Sequence, residues 1–164
     1  MQAHLLIVAI LIPSLALSQH YLESNKKLNF SFSTQSGKKM VLAKDSSNQY
    51  IKYRFGTNDK FEFEFPEKNK DSWSKFKYSF YLRGGGVQNE GMDLDYVYFS
   101  NKGYQYVIYR TYYAVENKTS VGVKIIDSTT KKTTNIKGIL KTKKGTLGDF
   151  RDNNLLEVTD ELFE

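Results

Sequence analysis

Residues 75–113 read KFKYSFYLRGGGVQNEGMDLDYVYFSNKGYQYVIYRTYY. Nine of the twelve tyrosines lie here, with three phenylalanines, mostly at every second position and separated by charged or small residues. Successive side chains of a strand point to opposite faces, so Phe76, Tyr78, Phe80 and Leu82 share one face while Lys75, Lys77 and Ser79 take the other. Turn residues interrupt the stretch at Gly84-Gly85-Gly86 and at Asn101-Lys102-Gly103, which divides it into three consecutive antiparallel strands.

The same alternation continues on both sides. Leu28, Phe30 and Phe32 alternate with Asn29, Ser31 and Ser33 in a first strand, and residues 39–43 form a second. Ile51, Tyr53 and Phe55 share a face in residues 50–55. In residues 60–65, Phe61, Phe63 and Phe65 are expected to face inward and Lys60, Glu62 and Glu64 outward, until Pro66 ends the strand for lack of an N–H. Residues 67–74 read as a charged loop carrying the only tryptophan, Trp73. Downstream, residues 119–127 alternate through Val121, Val123 and Ile125, residues 132–139 form a weaker last strand, and Thr159-Asp160-Glu161 is expected to open a short helix. Eight or nine short strands joined by short turns, with no amphipathic helix of ordinary length, define an all-β meander. Barrel and two-sheet sandwich both fit this pattern, each with a helical or irregular C-terminal tail.

The first eighteen residues, MQAHLLIVAILIPSLALS, carry no Asp, Glu, Lys or Arg. Their apolar core is shorter than the roughly 20 residues a membrane span needs, and Ala16-Leu17-Ser18 supplies a small-x-small cleavage pattern. Residues 1–18 are thus read as a secretory signal peptide and residues 19–164 as one β-rich domain, secreted or periplasmic. The chain has no cysteine, so thiolate chemistry and disulfides are absent from its repertoire. Asn29-Phe30-Ser31 and Asn117-Lys118-Thr119 match the glycosylation acceptor pattern, which carries weight only in a eukaryotic source. The net charge is +6, and from Asp149 onward six acids face one arginine. The body is therefore basic and the tail acidic, which favours anionic partners: an acidic protein or an anionic component of the envelope.

Past the signal peptide the only histidine is His20. A Ser-His-Asp triad has no base, and a histidine zinc site has no ligands. Among carboxylates, Asp93 and Asp95 lie two apart on one strand face with Asn89 and Glu90 nearby, a geometry that suits a calcium ion or a glycan-cleaving pair but lacks a complete calcium-loop pattern; the plainer reading is a pair of solvated strand-edge carboxylates meeting lysines. Leu82-Arg83-Gly84-Gly85-Gly86 offers flexible amides beside a cation without the lysine and helix of a phosphate loop, and no cofactor pattern is present. The basic run at Lys131, Lys132, Lys137, Lys141, Lys143 and Lys144 suits phosphates. Export and the protection that lysines give a strand edge argue against nucleic acid. Tyr106 and Ile108 oppose Val107 and Tyr109, so this strand is either covered on both faces or offers a tyrosine-rich face to a ligand.

Tyr50-Ile51-Lys52-Tyr53-Arg54-Phe55-Gly56, followed by Phe61-Glu62-Phe63-Glu64-Phe65-Pro66, Tyr81-Leu82-Arg83-Gly84-Gly85-Gly86 and Tyr96-Val97-Tyr98-Phe99, resembles a group of small secreted bacterial β-rich proteins of uncharacterised function, over roughly residues 40–163. Many members of that group carry a cysteine where Ala43 stands here, so any disulfide of theirs is lacking. More distantly the chain is similar to small periplasmic lysozyme inhibitors and to immunity proteins, though the positive charge disfavours a basic lysozyme as target. The expectation is an exported, non-enzymatic binding protein, an inhibitor or immunity protein, contacting its partner through Trp73, Arg83, Asn89, Glu90, Asp93 and Tyr96. The alternatives are an envelope glycan-binding or carboxylate-dependent glycan-hydrolysing domain and a ligand-carrying β-barrel.

Overall fold

The computed structural model describes residues 25–57 and 60–163; the signal-peptide segment and His20 lie outside them. Eleven strands form two sheets. The first holds β1 (Lys26–Ser33), β2 (Lys39–Asp45), β3 (Ile51–Gly56), β4 (Phe61–Phe65) and the two-residue β10 (Lys144–Gly145), in the order β10-β1-β2-β3-β4. The second holds β5 (Lys77–Arg83), β6 (Met92–Asn101), β7 (Tyr104–Tyr113), β8 (Lys118–Asp127), β9 (Thr133–Lys137) and β11 (Glu157–Thr159), in the order β11-β5-β6-β7-β8-β9. All pairings are antiparallel except β11 with β5.

The two sheets are a sandwich and not a closed barrel, which decides between the two architectures left open and removes the barrel that the ligand-carrying alternative required. Its interior is filled by side chains: Phe30, Met40 and Tyr53 of one sheet pack with Tyr78, Phe99 and Ile108 of the other. Phe99 is the hub, stacked on Phe65 at 4.5 Å and on Tyr106 at 4.9 Å, with Tyr53 tilted against it at 5.2 Å. Each such ring pair contributes about 0.5–1.5 kcal/mol beyond its buried area. The chain changes sheets in residues 66–76, where a 3-10 turn, Lys70–Lys75, is held by the buried Ser72 hydroxyl accepting from Ile51 N at 3.0 Å. It crosses back at Gly138, whose N–H donates to Val121 O while the following Ile139 N–H donates to Ser33 O, both at 2.8 Å. A Cβ on Gly138 would meet Phe32 Cγ and Val121 Cγ2 at 2.8 Å, so only glycine lets the crossing lie this close to both sheets.

Two expectations are corrected. Between Phe55 and Gly56 the β3–β4 register slips by one residue, pairing Phe55 with Phe63 and Gly56 with Phe61. The extra residue, Glu62, turns Phe61 to the outer face, where it packs on Val41 and Ala43 beneath the Arg54 guanidinium, 4.8 Å from its ring; Phe63 and Phe65 face inward as expected. Residues 157–159 form not a helix start but the parallel strand β11, because Glu157, Val158 and Thr159 find the open edge of β5 at Lys77, Tyr78 and Ser79. The remaining tail crosses the outer face of the second sheet. There Phe163 packs edge-on to Tyr96 and Tyr98 at 5.4 and 4.9 Å, and Tyr98 and Thr159 share a hydroxyl hydrogen bond of 2.8 Å. The central strand β6 is thus buried on both faces.

Candidate functional site

The candidate contact residues divide among separate places. Trp73 sits in the 3-10 turn ahead of β5, its ring against the core and its indole N–H donating to Asn48 O at 2.9 Å. Arg83 ends β5, and a seven-residue strand is about 20 Å long, so these two lie at opposite ends of it. Tyr96 is fully buried under Phe163 on the outer face. Asp93 points to the inner face, on the parity of Val97 and Phe99.

Arg83, Asn89 and Glu90 do come together. Between β5 and β6 the chain forms a 3-10 turn, Gly86–Asn89, entered through Gly85 at φ 90 and Gly86 at φ 59 and left through Glu90 at φ 46. Arg83 donates through Nε and Nη2 to Glu90 O at 3.0 and 2.8 Å, and Nη2 lies 3.4 Å from the Glu90 carboxylate. Asn89 Nδ2 donates to Gly84 O at 2.9 Å. Arg83 therefore shapes the loop from within. A fixed loop loses less entropy on binding than a mobile one. Around it project Leu82, Val87 and Val115, each more than 60 % exposed. Ala114 N–H, bonded to Gly91 O at 2.8 Å, holds the β7–β8 turn beside the loop.

The edge leading into this loop is open. β11 covers β5 only at residues 77–79, and no described strand lies beyond residues 80–83 on that side. Phe80 and Leu82 share the face of the buried Phe76 and Tyr78, as their spacing predicts, yet remain exposed. The other long edges are guarded by charge: β4 by Glu62 and Glu64, β9 by Lys137 with Lys131 and Lys132 ahead of it. An open edge bearing apolar side chains is a template for an added strand.

On the inner face at the same end, Asp93 and Asp95 meet two arginines. Arg151 Nη2 bonds Asp93 Oδ1 at 2.6 Å and Asp95 Oδ1 at 2.7 Å, and its Nε reaches Asp95 Oδ1 at 3.1 Å and the Tyr78 phenol at 3.3 Å. Arg110 Nη1 donates to Asp93 Oδ2 and to Asp93 O, and the Tyr78 phenol donates to Asp95 Oδ1. Burial alone would raise the Asp93 carboxyl, but hydrogen bonds and charge from Arg151 and Arg110 outweigh it and hold Asp93 below its ordinary value. Burial, then the bond to Asp95, pushes the Tyr78 phenol well up. Burial also works against the Arg151 charge, yet Asp93, Tyr78 and Asp95 more than offset it. The two carboxylates are thus not solvated at a strand edge beside lysines but paired with guanidinium groups, and Glu90 is turned toward Arg83. Asp93 is shifted away from the raised value that the general acid of glycan cleavage requires.

The register made half of this cluster legible: a tight turn at Lys102-Gly103 places Asp95 opposite Arg110, and two aspartates on the parity of core residues demand cations. Arg151, in the irregular tail, gave only the signal of being the lone arginine after Gly148.

These elements define an all-β, two-sheet sandwich with a shaped loop and an open apolar edge at one end. No family model matches the chain, and neither a curated protein nor a solved structure shows significant similarity to it.

Proposed function

We propose that the protein is an exported, non-enzymatic binding protein that captures a second protein, as an inhibitor or immunity protein does, along residues 80–83 and the 84–91 loop. The observation that carries this reading is the unpaired stretch of β5, where Phe80, Tyr81 and Leu82 are exposed beside an open edge. An extended partner segment would continue the second sheet by main-chain hydrogen bonds. Its alternate side chains would cover Leu82 and, over the loop, Val87. Burying two such side chains is worth about 1.5–3 kcal/mol each at most, reduced by the entropy cost of association. The basic body favours an acidic partner and speeds encounter.

The test compares capture of envelope proteins by the wild type, Leu82→Lys, Val87→Lys and, at the opposite end of the second sheet, Lys102→Glu. Both apolar side chains are largely in water, so the variants should melt within about 2 °C of the wild type. A protein retained by the wild type and Lys102→Glu but lost from Leu82→Lys and Val87→Lys is the expected result. Equal retention by all four refutes the assignment.

A further inference from the structure

The outer face of the second sheet holds a groove of about 610 Å³ beside the end of the tail, within the range of about 300–1,000 Å³ occupied by small ligands. Its charge is one-sided. Lys118, Lys124 and Lys137 line it together with hydroxyl, amide and phenol groups, and no acidic side chain among the described residues does. The hollow along β4, at about 690 Å³, is by contrast mixed in charge, with Glu62, Glu64, Glu67 and Asp71 beside Lys75 and Lys102.

The groove is held in shape by bonds across it. Tyr109 lies over Gly122, where a Cβ would stand 2.6 Å from Tyr109 Cζ, and its phenol donates to Asn135 Oδ1 at 3.0 Å. That bond fixes the Asn135 amide with its NH2 facing away from Tyr109. Lys124 is anchored by donating to Phe163 O, with its ammonium 5.8 Å from the Tyr109 ring centroid. Among the described residues Lys118 meets only the exposed Glu116, at 3.3 Å, a contact worth little in water. Lys137 has no acidic partner among the described residues.

We infer that this groove binds a short acidic oligosaccharide, one whose sugar hydroxyls meet Thr111, Ser120 and Asn135 and whose carboxylate or sulfate groups meet Lys118 and Lys137. Small hydroxyl and amide side chains spaced along strands suit the ring hydroxyls of a sugar. A nucleic acid needs a run of open aromatic faces for its bases, and here Tyr109 and Phe163 are only 5 % and 7 % exposed, which leaves the half-buried Tyr113 alone. A membrane surface needs several apolar groups projecting from the rim, and here Leu140 is the one exposed large apolar side chain among the described lining residues, set beside three lysines.

The experiment is calorimetric titration of the full chain with trigalacturonate, a chondroitin-sulfate tetrasaccharide, maltotriose, sodium sulfate and a thymidine decanucleotide. One or both acidic sugars should bind one-to-one, and which one does distinguishes carboxylate from sulfate as the anionic group. Maltotriose and sulfate ion should bind at least about tenfold more weakly, since neither unites hydroxyls and charge. Lys118→Glu and Lys137→Glu, both at exposed positions, should each weaken the acidic sugar by about tenfold, and Lys102→Glu should leave it unchanged. The inference is overturned if neither acidic sugar binds, if Lys118→Glu and Lys137→Glu bind it as the wild type does, or if sulfate ion or the decanucleotide binds as tightly.

Discussion

Arg151→Ala is the substitution from which the structure draws the largest consequence. The guanidinium contacts Asp93, Asp95 and Tyr78 at 2.6–3.3 Å, and the Asp95 side chain is only 3 % exposed. Removing one partner of a fully buried ion pair costs about 3–5 kcal/mol, because the other charge stays desolvated. Arg151 and Asp93 are 21 % and 29 % exposed, and Asp95 retains the Tyr78 phenol and a longer contact of 3.7 Å to Arg110. Water can therefore recover part of the loss, leaving about 2–4 kcal/mol. At about 3 °C per kcal/mol for a domain of this size, the melting temperature should fall by about 6–12 °C. Urea denaturation gives the free energy directly, and the cycle with Asp95→Asn should show a coupling of about 2 kcal/mol. The pH dependence has a definite sign. Asp93 is depressed in the fold, so its pairing stabilises fully above the unfolded value of about 3.9 and is lost as pH falls through the folded value. The gap between wild type and Arg151→Ala should accordingly narrow below about pH 4. A variant within about 0.5 kcal/mol of the wild type at pH 7, or an additive cycle, would mean that hydrated carboxylates serve as well and that the cluster is not a structural clamp.

Two further substitutions probe the outer face of the second sheet. Gly122→Ala places a methyl 2.6 Å from Tyr109 Cζ and 2.7 Å from Ile136 O; urea melts should show a loss of about 1–3 kcal/mol, with Tyr109→Leu/Gly122→Ala recovering part of it, and a neutral Gly122→Ala would contradict the packing. Phe163→Ala should cost about 2 kcal/mol, below the usual core value because the tail end can relax into water, and should raise binding of an apolar dye as Tyr96 and Tyr98 are uncovered. Unchanged stability and dye binding would show that the tail does not hold this face closed.

Strand periodicity is a local property, so it was legible. Alternation in residues 75–113 places Phe76, Tyr78, Val97 and Phe99 on one face, and Gly84-Gly85-Gly86 and Lys102-Gly103 mark the turns where strands reverse. The same periodicity misplaces Phe61, because a bulge is a slip between two strands and leaves no trace in the spacing of one. It also cannot distinguish a covered tyrosine face from an open one. Tyr96 alternates as a binding residue would, and its burial depends on Phe163, far along the chain.

The site divides along the same line. The closeness of Arg83, Asn89 and Glu90 was readable because a short loop keeps its residues together, and Asp95 opposite Arg110 follows from hairpin register. The amino-acid sequence alone determined the all-β class, the turn positions and the basic body with its acidic tail, since each depends on residues near one another in the chain. Only the tertiary structure decided sandwich over barrel, the return of residues 144–145 and 157–159 to complete the two sheets, and Arg151 as the counter-charge of Asp93 and Asp95. These depend on which distant segments bury each other's apolar surface and neutralise each other's charge, and a long-range pairing of that kind is fixed by the energy of the whole fold.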